Sequence, residues 1–229
     1  ALAEIKTFAK VIAFTPTLAL GKRLIRQGVD ALIIEGNEAG GHVGPVTTSV
    51  LCQEILPHIH EVPIFVAGGI GCGKTLLSYL EMGAAGCQLG TRFVCSHESQ
   101  AHPNFKNMFL TSHARDAVVS VQLDPRLPVI PVRSIANKGL EAFYDLQREV
   151  IEKLDKGLIL LKDAQLTVEH FWAGALRRAV VEGDIVHGSV MAGQCVGLVT
   201  AEESVQDIID SFMNEALDII KKRHAALGI

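Results

Sequence analysis

The sequence has little of what marks a special environment. Aromatic residues make up 5% of the chain, with one tryptophan and two tyrosines. No stretch approaches the ~20 consecutive apolar residues that a membrane helix needs. Basic side chains are not in excess: 21 Lys and Arg against 25 Asp and Glu give a formal net charge of −4. Nothing therefore draws this surface toward nucleic acid or an anionic membrane. Cys52, Cys72, Cys87, Cys95 and Cys195 are odd in number, and no two stand at CxxC spacing. Neither a zinc site nor a disulfide framework is expected, and a reducing cytoplasm fits. HExxH, GxSxG and kinase signatures are missing. The opening ALAEIKTFAK has no basic-then-apolar leader, so no targeting segment is expected, and it reads as a chain entered partway along.

What is present suits a globular α/β protein. With 229 residues, 48% of them apolar and 20% charged, the chain can bury one sizeable core. Its first half alternates short apolar runs with amphipathic stretches. KVIAF (10–14), ALIIEG (31–36), PIFVAGG (63–69) and CQLGTRF (87–93) read as strands. TLALGKRLIRQG (17–28), TTSVLCQEILPHI (47–59) and KTLLSYLEMG (74–83) read as helices between them. The strand runs are almost continuously apolar, as strands covered by helices on both faces are. Units of this kind make βαβ crossovers and a parallel sheet. Gly28 and Gly83 each stand where a helix hands over to the next strand, the position that favours a left-handed glycine.

The second half differs. Residues 99–139 are proline-rich and irregular, with one helix and one strand expected. Residues 140–182 read as helices, and GDIVHGSVMAGQ (183–194) as a glycine-punctuated loop. The chain closes with a helix whose apolar stripe is Val205, Ile208, Ile209, Phe212, Ala216, Ile219 and Ile220, capped by a Thr200–Glu203 box and ended by Gly228. Four βα units are too few for a closed barrel, which leaves an open sheet or part of a (βα)8 barrel.

Three loops at strand ends carry candidate chemistry. GGIGCGKT (68–75) has the letters of a Walker A motif, in which backbone amides cradle phosphates and Lys74 and Thr75 complete a nucleotide triphosphate site. That site needs a second carboxylate on a buried strand, and the one downstream candidate, Asp124, is followed at once by Pro125. The alternative uses only the first glycines: loops after adjacent strands, GGIG and GTRF, clamp a single phosphate with their amides. In EGNEAGGHVGP (35–45), Gly40 and Gly41 let the backbone approach a flat ligand and His42 projects above the strand ends. Histidine there suits proton transfer near neutral pH.

Taken in order, EGNEAGGHVG, PIFVAGGI, GAAGCQLGTRFV, ESQAHPNFK and GSVMAGQCVGLV resemble the FMN-dependent barrels of the nitronate monooxygenase (2-nitropropane dioxygenase) family, close to the flavin-dependent enoyl-ACP reductases. The likeness runs over essentially the whole chain. It implies a (βα)8 TIM-barrel fold of which this chain is the C-terminal half, strands five to eight, plus a mostly helical segment. Residues 1–98 would be the barrel half, 99–195 a subdomain over the flavin, and 196–229 the closing helix. It implies FMN as cofactor, its phosphate held at Gly68, Gly69, Gly90 and Thr91, with Gly41 beside the isoalloxazine and Met191 and Gln194 near the pocket. His42 would be the catalytic residue. The implied reaction oxidises alkyl nitronates or nitroalkanes with dioxygen to carbonyl compounds and nitrite; the alternatives are NAD(P)H-dependent reduction of an enoyl thioester and, from the Walker letters, a P-loop nucleotide-binding protein. Small molecules are the expected partners, the closing helix permits a homodimer, and no metal is expected.

Overall fold

The computed structural model describes residues 2–228. After a short helix, α1 (Leu2–Ile5), come β1 (Ile12–Phe14), α2 (Leu18–Arg26), β2 (Ala31–Glu35), β3 (Gly41–His42), α3 (Thr48–Ile55), β4 (Ile64–Ala67), α4 (Gly73–Glu81) and β5 (Gly86–Gln88). Four of these strands form a parallel sheet in the order β1-β2-β4-β5. Its register sets Leu32 beside Ile64 and Ile34 beside Val66, and Gly86 beside Phe65. No closed barrel forms among the described residues: the sheet is open, and Ile12 and Phe14 on the edge strand β1 are exposed.

Local chemistry explains these elements. Thr17 caps α2 by accepting from the Leu20 amide, and Gly28 follows its end with φ +92°, the left-handed geometry expected of it. Gly83 does the same after α4 with φ +102°. Leu32, Ile34, Leu51, Ile55 and Val66 meet in the core between the sheet and α3. Each fully buried aliphatic side chain of this kind contributes about 1.5–3 kcal/mol.

The remaining elements are α5 (Pro103–Thr111), β6 (Ala117–Val119), β7 (Val132–Ile135), α6 (Lys138–Asp155), α7 (Leu161–His170), α8 (Ala175–Val180) and α9 (Val205–Leu227). A second, antiparallel sheet runs β3-β7-β6. The irregular stretch 99–139 thus holds one helix and two strands, not one. The run CQLGTRF also stops being a strand early. β5 ends at Gln88 where β4, its partner among the described residues, ends at Ala67, and Thr91–Cys95 winds into a 3-10 turn. The cap of α9 is Ser204, whose hydroxyl accepts from the Asp207 amide. Glu203 is drawn instead to the buried Arg92, so the Thr200–Glu203 box does not form. Ile208, Phe212 and Ala216 are the buried face of α9, whereas Ile209 is exposed. No described helix is long and apolar enough to cross a membrane.

Candidate functional site

β2, β4 and β5 end side by side at Glu35, Ala67 and Gln88, and all three residues line one cleft of about 270 Å³. The walls beyond them are the loops that follow these strands, together with a segment from far along the chain. Ala39 and Gly40 come from the loop after β2, Gly41 from β3, Gly68 from the loop after β4, Gly90, Thr91 and Val94 from that after β5, and Met191 from the stretch before α9. Gly41, Gly68, Gly90, Thr91 and Met191 are therefore brought together. Gly69 is adjacent to Gly68, but a Cβ on it would lie 2.9 Å from the Glu38 side chain rather than in the cleft. Gln194 does not line the cleft; its amide donates to the Glu38 carbonyl at 2.9 Å. His42 is exposed on β3, one residue beyond the lining Gly41.

The glycine loops present unused donors. Among the described residues, the amides of Gly68, Gly69, Gly90 and Thr91 find no acceptor within the chain. Gly68 and Gly69 hold φ of +97° and +73°, which turns the backbone sharply off the end of β4. A Cβ added to Gly90 would meet nothing within 4 Å, so that loop faces open space. Thr91 Oγ1 accepts from the Gly193 amide at 2.9 Å, and the same hydroxyl stands beside the Cys195 thiol. Burial pushes the Glu35 carboxyl above its usual range. The unengaged amides suit a phosphate group.

The second half of GGIGCGKT is used differently. The Gly73 amide, at the start of α4, donates to the Glu215 carboxylate of α9 at 2.7 Å. A Cβ on Gly73 would fall 2.1 Å from the Phe212 carbonyl oxygen, so this glycine is required by the contact between two helices. A carboxylate already fills the place a triphosphate would need, and Lys74 points into solvent. The Walker letters do not form a nucleotide site in this fold.

Three features were missed by the sequence. Gly40 lines the cleft and also serves a protein contact: a Cβ there would lie 2.6 Å from the Ala192 carbonyl carbon. Glu38 is a junction, its carboxylate accepting from the Thr48 amide (2.8 Å) and hydroxyl (2.7 Å) to cap α3 while its carbonyl holds Gln194. β7 braces both covers of the cleft, since Arg133 pairs with Gly41 and Ser134 bridges to Met191. Glu35 and Gln88 were findable, as the last residues of strands whose next loops were already suspect.

Comparison with known proteins gives one consistent picture. A sequence model of the nitronate monooxygenase family matches residues 3–215. The chain is 30% identical, over 230 aligned positions, to a (3aS,4S,5R,7aS)-5-hydroxy-7a-methyl-1-oxo-octahydro-1H-indene-4-carboxyl-CoA dehydrogenase of Rhodococcus jostii strain RHA1, covering 90% of this chain and 63% of that protein. It is 28% identical over 167 positions to a probable nitronate monooxygenase of Staphylococcus aureus strain JH9, covering 65% of this chain and 45% of that one. Among solved structures it resembles FabK from Thermotoga maritima, with a TM-score of 0.80 and 33% identity over 97% of this chain and 66% of that one. The chain thus spans about half to two thirds of the length of these relatives.

Proposed function

The chain belongs to the nitronate monooxygenase family, and on that premise we propose that its cleft serves an FMN-dependent oxidoreductase that oxidises alkyl nitronates or nitroalkanes with dioxygen. The observation that carries this reading is the convergence of two glycine loops with unengaged amides at the ends of adjacent parallel strands. Gly68, Gly69, Gly90 and Thr91 would hold the FMN phosphate through their amides. Gly41 and Met191 would lie against the ring system, with Gln194 fixing the turn that carries Met191.

The chemistry FMN supplies when bound is electron exchange between substrate and dioxygen, ending in a carbonyl compound and nitrite. The protein's own part is proton transfer and shielding. His42 would take the proton from the carbon beside the nitro group of a neutral nitroalkane, or orient a nitronate already formed. Ala39, Val94 and Met191 would keep water from the reacting face.

The open sheet supports a companion proposal, that these four strands are the later half of a (βα)8 barrel, with residues 99–195 as a cover and 196–229 as the closing helix. Exposed Phe8, Ile12 and Phe14 along the β1 edge are what an incomplete apolar wall would show. A cytoplasmic location and a homodimer that uses the exposed Ile209, Met213 and Leu217 of α9 belong to the same proposal.

The test is anaerobic. Purified protein should show a flavin spectrum that bleaches with alkyl nitronate and not with NADH, and on readmitting air it should form nitrite. His42→Ala should lower turnover of a neutral nitroalkane by about 10²–10⁴-fold, the usual worth of a general base, while leaving preformed nitronate a better substrate. A colourless protein overturns the reading. Bleaching by NAD(P)H with no response to nitronate replaces it with the enoyl thioester reductase, and full nitroalkane turnover in His42→Ala removes the role given to that residue.

A further inference from the structure

Arg133 is 6% exposed. The hydrogen bonds its guanidinium makes among the described residues end on carbonyl oxygens, not on carboxylates. Nε donates to Asn37 at 2.9 Å and Nη1 to Ala117 at 2.5 Å. Burial pushes its pKa down from the usual arginine value, and the charge of Glu38 only offsets this in part. A buried cation without a direct anionic partner is costly, and an apolar side chain could fill the same volume. A buried arginine at this place calls for a task that needs this particular group.

The task is visible in how one residue holds one segment. The guanidinium grips Asn37, just past the end of β2. The backbone of the same residue pairs with Gly41 on β3 and with Val119 on β6. Between Asn37 and Gly41 lie Glu38, which caps α3, and Ala39 and Gly40, which line the cleft. The stretch 37–42 is thus fastened at both ends by a single residue 96 positions from Asn37. Two further bonds pin the same loop, Asn37 N–H to Val46 at 2.8 Å and Val43 N–H to Pro131 at 3.0 Å. Only a guanidinium offers a planar fork of donors able to meet two carbonyls from two segments at once.

We propose that Arg133 is a positioning residue: it fixes the Asn37 carbonyl with its side chain and Gly41 with its backbone, and so sets where His42 stands on β3, next to the cleft-lining Gly41. Its catalytic consequence rests on the role given to His42, but its structural consequence does not. Lysine keeps the charge and loses the fork, so Arg133→Lys should fail to replace arginine. Arg133→Met keeps bulk and loses both.

Amide hydrogen exchange on the cofactor-free protein reads the structural consequence. Both variants should lose protection at Asn37 and Val43 by about tenfold, the worth of one such hydrogen bond, while Leu32 and Ile34 in β2 keep theirs. Steady-state kinetics read the catalytic one: kcat on a neutral nitroalkane should fall with KM little changed, and preformed nitronate should be less affected. Unchanged protection in Arg133→Met overturns the proposal. So does complete restoration by lysine, which would make charge rather than geometry the cause, and so does loss of protection spread through β2 and β4, which would make Arg133 a packing residue. If the wild-type protein binds no flavin, the preceding reading fails, and the exchange result still decides the role of Arg133.

Discussion

The two ends of one loop make the instructive comparison. Gly68–Gly69 and Gly73–Lys74–Thr75 are four residues apart and share the letters of a phosphate motif. At the first end the glycines hold φ of +97° and +73°, the amides are unengaged, and Gly68 lines the cleft. At the second end the leading amide is already bonded to Glu215 of α9, and the glycine exists so that two helices can touch. Both ends need glycine for steric reasons, yet only one offers donors to a ligand. What a motif can bind is decided by where its amides are spent.

Substitution at each end should separate the two roles. The largest effect on stability belongs to Gly73→Ala. Its new Cβ would meet the Phe212 carbonyl at 2.1 Å, a backbone atom that cannot swing away, so α4 and α9 must move apart. Overpacking of this sort costs about 1–3 kcal/mol, here at the upper end. For a chain of this size each kcal/mol lowers the unfolding midpoint by about 2–4 °C. Flavin content per folded molecule should hold. A variant of unchanged stability that had lost its flavin would erase the distinction between the two ends.

Gly68→Ala should do the reverse. At φ +97° an L residue is strained by about 1–2 kcal/mol. The Cβ would also press on Ala39 N and Gly36 O at 3.1 Å, shifting the segment that forms the facing wall. Displacement of one well-placed amide and of the wall together should weaken FMN binding by about tenfold or more, where tenfold is about 1.4 kcal/mol. Fluorescence titration of the cofactor-free protein with FMN measures this, and a dissociation constant within twofold of wild type would move the phosphate elsewhere.

Legibility from sequence follows the same division between local and distant causes. The parallel strands, their helices, and Gly28 and Gly83 were readable because continuous apolar runs and left-handed glycines are local signals. The glycines and Thr91 at the strand ends were readable as loops, and their convergence followed from a parallel sheet placing those ends at one edge. Residues whose partners are remote were not. The hydroxyl of Thr91 serves Gly193, Glu203 leaves its expected cap for Arg92, and Gly40 yields to Ala192, each across about a hundred residues or more. β6 and β7 were hard for a related reason: strands of three and four residues in a proline-rich stretch are defined by their antiparallel partners rather than by a pattern of their own.

The smallest effect should come from the residue that most suggested a nucleotide. Lys74 is exposed, and its ammonium makes no hydrogen bond or ion pair among the described residues. Its backbone carbonyl, which accepts from the Ser78 hydroxyl at 2.9 Å inside α4, is untouched by a side-chain change. Alanine has the higher helix propensity, so Lys74→Ala should alter stability by no more than about 0.5 kcal/mol. FMN binding should be unchanged, because the amides left without an acceptor lie five and six residues earlier, at Gly69 and Gly68. Mg-ATP should shift the melting temperature of neither wild type nor variant, since Glu215 occupies the amide a triphosphate would need. An ATP-dependent stabilisation of the wild-type protein that vanished in Lys74→Ala would show that α9 can release Gly73, and would make the two ends of the loop one site after all.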